Sequence, residues 1–325
     1  MLSQTERQKS ALHIRSILVP TDLGPSSELA VQLAQTFALW FSAELHILYV
    51  VASEAYPLAP PPGVATVHDI GMARARSHFE QIKTSSRNLG IAHDVAIREG
   101  EIWNEVKKSI SENHVDLIVL GTHGASGFEK LALGSVAEEI FRKASCMVMT
   151  VGPRVSSRMV NSDRFREVLF ATDFSPQSQA ALPVAVLLAA ETKSHLTLLH
   201  VVDASKASDD MGEEALTGPL TKQLLRMMPV DAAPPGVLVE SGDSADVTTR
   251  IAAEMDCGLI VLGVHRAESL AGHMPWSVAS RIVRNAVCPV LTVRSRPEGS
   301  PLKEKINGLV PWYFIGEILP EPEDV

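Results

Sequence analysis

Apolar residues recur along the chain with two periods. Runs rich in Val, Ile and Leu at 15–21, 44–51, 93–98, 115–121 and 146–152 predict β-strands. Between them, stretches of helical period predict helices over 26–41, 67–89, 101–113 and 134–144. In the first of these helices Leu29, Leu33, Phe37 and Trp40 fall at i, i+4, i+8 and i+11, one face that predicts core burial, and Pro25 with Ser26 supplies the start signal. Strands alternating with helices predict a parallel sheet covered on its faces.

The pattern then repeats. ILVPTD (Ile17–Asp22) returns as VLFATD (Val168–Asp173), and ELHILYVV ending at Val51 returns as HLTLLHVV ending at Val202, both 151 residues on. VDLIVLG from Val115 returns as CGLIVLG from Cys257, and CMVMTV from Cys146 as CPVLTV from Cys288, now 142 residues on. The difference falls in an insertion-like run, YPLAPPPGVAT between Tyr56 and Val67, whose prolines favour an extended surface loop. The second copy predicts strands at 167–172, 195–202, 236–240, 258–263 and 288–294, and Pro183 predicts a kink or late start in its first helix. The organisation read is an N-terminal extension without structure (1–12), a first domain (13–154), a polar linker (155–163), a second domain (164–296) and a C-terminal arm (297–325). That arm's apolar island, Val310, Trp312, Tyr313, Phe314 and Ile315, reads as a docked segment.

With 325 residues, 46% apolar and 21% charged, the composition is globular and excludes disorder and collagen-like architecture. Lys+Arg 29 against Asp+Glu 38 leaves a formal charge of −9, against any nucleic-acid or anionic-membrane partner recruited by overall charge. The polar N-terminus lacks a signal-peptide core, and no stretch reaches the roughly 18 consecutive apolar residues of a membrane span. Cys146, Cys257 and Cys288 form no disulfide or metal pattern. The expectation is a cytoplasmic protein with no membrane partner.

One constellation carries candidate chemistry. After the fourth strand comes GTHGASGFEKLALGS, with Gly121, Gly124, Gly134 and Ser135 spaced G-x2-G-x9-G-S at the mouth of a helix. Glycines allow close backbone approach to a ligand, and the free amides and dipole of a helix N-terminus attract phosphate, with a Ser135 hydroxyl as a further donor. Asp22, Val50 and Gly121 end strands at the same carboxyl edge, where open parallel sheets place ligands. The same glycines also serve simply to make a strand-to-helix turn, and Asp22 alone also reads as a capping carboxylate.

The strand order, the PTD closing strand one, the glycine loop and the V-x-V closing strand together resemble the universal stress protein family, in both copies, over residues 13–295. The resemblance implies an α/β fold of two tandem open five-stranded parallel sheets with helices on both faces, of the adenine-nucleotide alpha hydrolase-like, Rossmann-like kind. It also implies that copy one belongs to the family's ATP-binding branch. On that footing Asp22 and Val50 would hold adenine, Pro20 and Thr21 would line the same edge, and Gly121, Thr122, His123, Gly124, Gly134, Ser135 and Val136 would hold ribose and phosphates, with Mg²⁺ bound through the phosphates. Copy two departs from the pattern. It keeps Gly263, His265 and Ser277 but has Arg266 and Trp276 where Gly124 and Gly134 stand, and Asp173 reads there as a relic. A rival reading gives Arg266 to a phosphate. The expectation is one nucleotide per chain.

No serine elbow, zinc signature or Walker sequence occurs, and neither His123 nor His265 has a partnered acid nearby in sequence, so no catalytic residue or dedicated reaction is assigned. The function expected is an ATP-binding sensor or regulator with little or no turnover, acting on an unidentified regulatory protein. The alternatives are a nucleotide-free pseudo-dimeric scaffold and a slow Mg²⁺-dependent ATP hydrolase. The closing strands, Met147–Val151 and Val290–Val293, are expected to pair within the chain as a pseudo-dimer; pairing between chains, as a homodimer, is the alternative.

Overall fold

The β-branched runs assemble edge to edge. The computed structural model describes residues 12–52, 67–122, 134–160, 165–203, 213–264 and 278–294. The strands are β1 (Ser16–Thr21), β2 (Glu44–Ala52), β3 (His93–Gly100), β4 (Leu117–Gly121), β5 (Met147–Val151), β6 (Glu167–Thr172), β7 (His195–Val202), β8 (Gly236–Ser241), β9 (Leu259–Val264) and β10 (Val290–Arg294). They form one ten-stranded sheet in the order β3-β2-β1-β4-β5-β10-β9-β6-β7-β8. Within each half every pairing is parallel. The halves meet through an antiparallel pairing of β5 with β10, in which Leu291 stands opposite Met149. The closing strands thus pair within the chain.

The helices are α1 (Pro25–Phe41), α2 (Val67–Asn88), α3 (Ile102–Glu112), α4 (Ser135–Lys143), α5 (Ser157–Val160), α6 (Pro176–Thr192), α7 (Glu213–Arg226), α8 (Ser244–Glu254) and α9 (Val278–Asn285). Alternation along the strands sends Ile17 and Val19 to one face, under α1, α2, α5, α6 and α7, and Leu18 to the other, under α3, α4, α8 and α9. Both apolar layers run unbroken across the β5–β10 seam. The predicted α1 stripe is core: Leu33 and Phe37 are fully buried, and Leu29 and Trp40 pack against them from partial exposure. Trp40 also meets Phe165 edge-on at 5.2 Å, tying the first half to the segment entering the second. The polar junction contains the single turn α5, with Val155 and Val160 buried.

Local chemistry sets the element ends. Pro25 occupies the first turn of α1, where a missing N–H costs nothing, and Ser42 ends the helix in the left-handed region. Pro176 and Lys193 do the same for α6, capped by Ser175, whose hydroxyl accepts from the Ser178 amide. Helix α6 starts at Pro176 and continues through Pro183, so Pro183 does not delay its start. The carboxylates of Glu101 and Asp243 cap α3 and α8, each accepting from two backbone amides. No helix among the described residues is long and apolar enough to cross a membrane. The N-terminal extension lies outside the described residues except for its last residue, Leu12, which is buried in the core; the proline-rich run up to residue 66 and the C-terminal arm lie outside the described residues.

Candidate functional site

The carboxyl ends of β1, β2 and β4 converge with the N-terminus of α4. At β1 the chain turns at Leu23 (φ 63°), whose amide donates to Thr21 Oγ1 at 3.0 Å. Asp22 braces this turn: its Oδ1 accepts from the Gly24 amide at 2.9 Å and the Ser27 hydroxyl at 2.6 Å. Copy two builds the same turn, with Phe174 at φ 62° and Asp173 Oδ1 accepting from the Ser175 amide at 3.0 Å. Burial pushes the Asp173 carboxyl up, but hydrogen bonds from Ser175 and Ser178 outweigh it and hold the group below the usual carboxylate range. An aspartate at this place therefore has a structural reason in both halves. Pro20 and Asp22 are half-buried at the edge, and Thr21 is buried.

Val50 lies one residue beyond the β1 ladder, which stops at Thr21 opposite Tyr49; its paired neighbour is Arg98 of β3. Its side chain packs into the α3/α4 layer, the layer that also holds Leu18 of β1.

The described members of the glycine loop divide by cause. A Cβ on Gly121 would lie 2.6 Å from the Ser26 carbonyl carbon in the first turn of α1. Gly263 in copy two is pressed in the same way by Gln177 and Ser178 of α6. This glycine is demanded by helix packing, with or without a ligand. Thr122 is fully buried, and its amide and hydroxyl both donate to the Val151 carbonyl, at 3.1 and 3.2 Å, so its side chain faces β5.

Gly134 differs. Its φ of −59° and ψ of 145° suit any residue, and among the described residues a Cβ there would meet only the Thr122 carbonyl oxygen, at 3.4 Å. Neither its conformation nor its described neighbours call for a glycine. Gly134 is also the N-cap of α4, with no side-chain hydrogen bond capping the helix, while its own amide closes the loop onto Thr122 O at 2.9 Å. The first-turn amides of α4, beside exposed Ser135 and half-buried Val136, have no carbonyl of their own helix to donate to, which suits an anion. His123 and Gly124, and the copy-two residues His265, Arg266, Trp276 and Ser277, lie outside the described residues.

Two neighbours were not legible in the sequence motifs. Arg74 of α2 is exposed, and its Nη2 donates to the Leu23 carbonyl at 3.3 Å, setting a cation beside the β1 turn. Glu138 stands in the first turn of α4; burial pushes its carboxyl up, with Arg142 opposing. Both sit on helices, where a single charge carries no spacing signal. Among the described residues no cluster of three or more His, Cys, Asp or Glu is placed to hold a metal ion. The cysteines are free and buried; burial pushes Cys257 up to about 12 and Cys288 upward too, so neither is an activated thiol.

The sequence model of the Universal stress protein family matches residues 13–152 and again 164–294. A universal stress protein of Mycolicibacterium smegmatis is 26% identical over 305 residues, 86% of this chain and 97% of its own. Universal stress protein MJ0531 of Methanocaldococcus jannaschii is 30% identical over 138 residues, 42% of this chain and 81% of its own. Among solved structures, a universal stress protein from Archaeoglobus fulgidus covers 88% of this chain and 99% of its own, with a TM-score of 0.66 at 22% identity.

Proposed function

This chain belongs to the universal stress protein family, twice over, and on that premise we propose that its first half binds one adenine nucleotide, ATP with Mg²⁺ carried on the phosphates. The observation that carries the reading is Gly134, a glycine that its own backbone conformation does not require and whose Cβ would meet, among the described residues, only the Thr122 carbonyl oxygen. The residues present fit the group. The family resemblance gives Gly121, Thr122, His123, Gly124, Gly134, Ser135 and Val136 to ribose and phosphates, with the α4 amides behind Gly134 suited to phosphate oxygens, and Asp22 and Val50, with Pro20 and Thr21 along the same edge, to the adenine. ATP, when bound, would supply the negative charge that the α4 amides complement, and the edge's own groups would bind and orient it.

The function that follows is a cytoplasmic sensor or regulator whose nucleotide occupancy changes the surface offered to a protein partner, with little or no turnover. A nucleotide-free scaffold is the rival, and its support is specific: Gly121 and Asp22 both have structural causes.

Denaturing freshly purified protein and chromatographing the released small molecules decides between them, beside a Gly134→Trp variant that installs the copy-two residue. About one adenine nucleotide per chain, lost in a variant that still unfolds cooperatively, is the expected result. None in either, with no uptake of added Mg-ATP, overturns the reading in favour of the scaffold.

A further inference from the structure

The seam repeats itself about a local two-fold through Met149 and Leu291. The Thr150 hydroxyl donates to the Val290 carbonyl at 3.2 Å, and its counterpart Thr292 donates to the Val148 carbonyl at 3.0 Å. Two residues further on, the equivalence breaks. The counterparts there are Gly152 and Arg294. A Cβ on Gly152 would lie 2.6 Å from the Val283 carbonyl oxygen, so the last turn of α9 rests directly on the backbone of the first half. On the other side Arg294, only 9% exposed, reaches from β10 to α4, and its Nη1 donates to the carbonyls of Arg142 at 2.6 Å and Ala144 at 2.9 Å.

Those carbonyls close the helix whose opposite end carries Gly134. A guanidinium there complements the negative end of the helix dipole with charge-assisted hydrogen bonds. Helix α4 has 9 residues, a rod about 13 Å long, so a shift at its last turn reaches its first. Its buried face, Ala137, Ile140 and Phe141, limits sideways movement; the end contacts fix its position along its axis.

We propose that Arg294 is a positioning residue for the nucleotide site of the first half: the second half grips the C-terminal end of α4 and so sets where its N-terminal amides stand. The inference rests on the reading of that site as a nucleotide site. It gives the second half a task in binding that needs no nucleotide of its own.

The test uses the full chain with Arg294→Met, Arg294→Lys and Met149→Ala, the last weakening the seam without touching α4. Calorimetric titration with Mg-ATP is paired with hydrogen exchange over residues 135–144. Arg294→Met is expected to lower affinity about tenfold and to speed exchange into the first turn of α4, Arg294→Lys to recover part of both, and Met149→Ala to lose stability while keeping affinity. Wild-type affinity and exchange in Arg294→Met overturn the proposal, as does an equal loss of affinity in Met149→Ala. Should the wild type take up no Mg-ATP, the nucleotide reading fails on its own. Exchange then judges Arg294: faster exchange at the hydrogen-bonded amides 138–144 in Arg294→Met supports its grip on α4, and unchanged exchange overturns it.

Discussion

Two glycines of one loop answer to different causes, and single substitutions separate them. Gly121→Ala drives a methyl into the backbone of the first turn of α1 and is expected to cost about 1–3 kcal/mol in thermal or denaturant unfolding. Gly134→Ala meets, among the described residues, only one carbonyl oxygen, at 3.4 Å; it should cost no more than about 1 kcal/mol while weakening Mg-ATP binding by about tenfold or more, read by the same melts and a titration. Equal destabilisation by both would mean that Gly134 is a packing glycine too. The sequence could not separate them: G-x2-G-x9-G-S shows that side chains are missing, and only the position of α1 shows what fills the space at Gly121. Asp22 is a similar case, since its counterpart Asp173 braces the same turn in a half whose glycine loop has lost two glycines.

At the scale of the element, α4 joins the candidate phosphate edge to the seam. Glu138 leans back over its first turn, as helical side chains do, and its carboxylate opposes an anion bound there. Glu138→Gln should raise Mg-ATP affinity about threefold, read by titration at low ionic strength, with the gain shrinking in added salt. The sign of its pH dependence follows from burial pushing the carboxyl up. A folded-state pKa above the unfolded one contributes stability that is full below the unfolded value and lost as pH rises through the folded one. Wild type should therefore shed a little stability across the acidic range just above the ordinary carboxylate titration, and Glu138→Gln should not. Strands and helices were legible because periodicity and caps act locally. The paired left-handed residues were not: Leu23 with Phe174, Ser42 with Lys193, and His114 with Asp256 share φ values within a few degrees yet differ in type, because the tertiary fold imposes the turn whatever stands there.

For the whole molecule the repeat predicts more than its residues do. The β5–β10 pairing was legible as two matching apolar edges in one chain, whereas the Arg294 contact was not, since it pairs with main-chain carbonyls that leave no mark on residue identity. A fragment ending at residue 152 exposes β5, every residue of which is buried in the full chain, and should self-associate through that edge in sedimentation, while the full chain should not use it. Mg-ATP titration of the full chain should saturate near one equivalent, and two equivalents would show that the second half also binds. One antiparallel step in an otherwise parallel sheet has a geometric result of its own. Five strands point one way and five the other, so the two carboxyl edges lie on opposite rims of the sheet. A partner docked against one rim leaves the opposite rim uncovered. The molecule is therefore two-ended, its halves presenting their carboxyl edges in opposite directions.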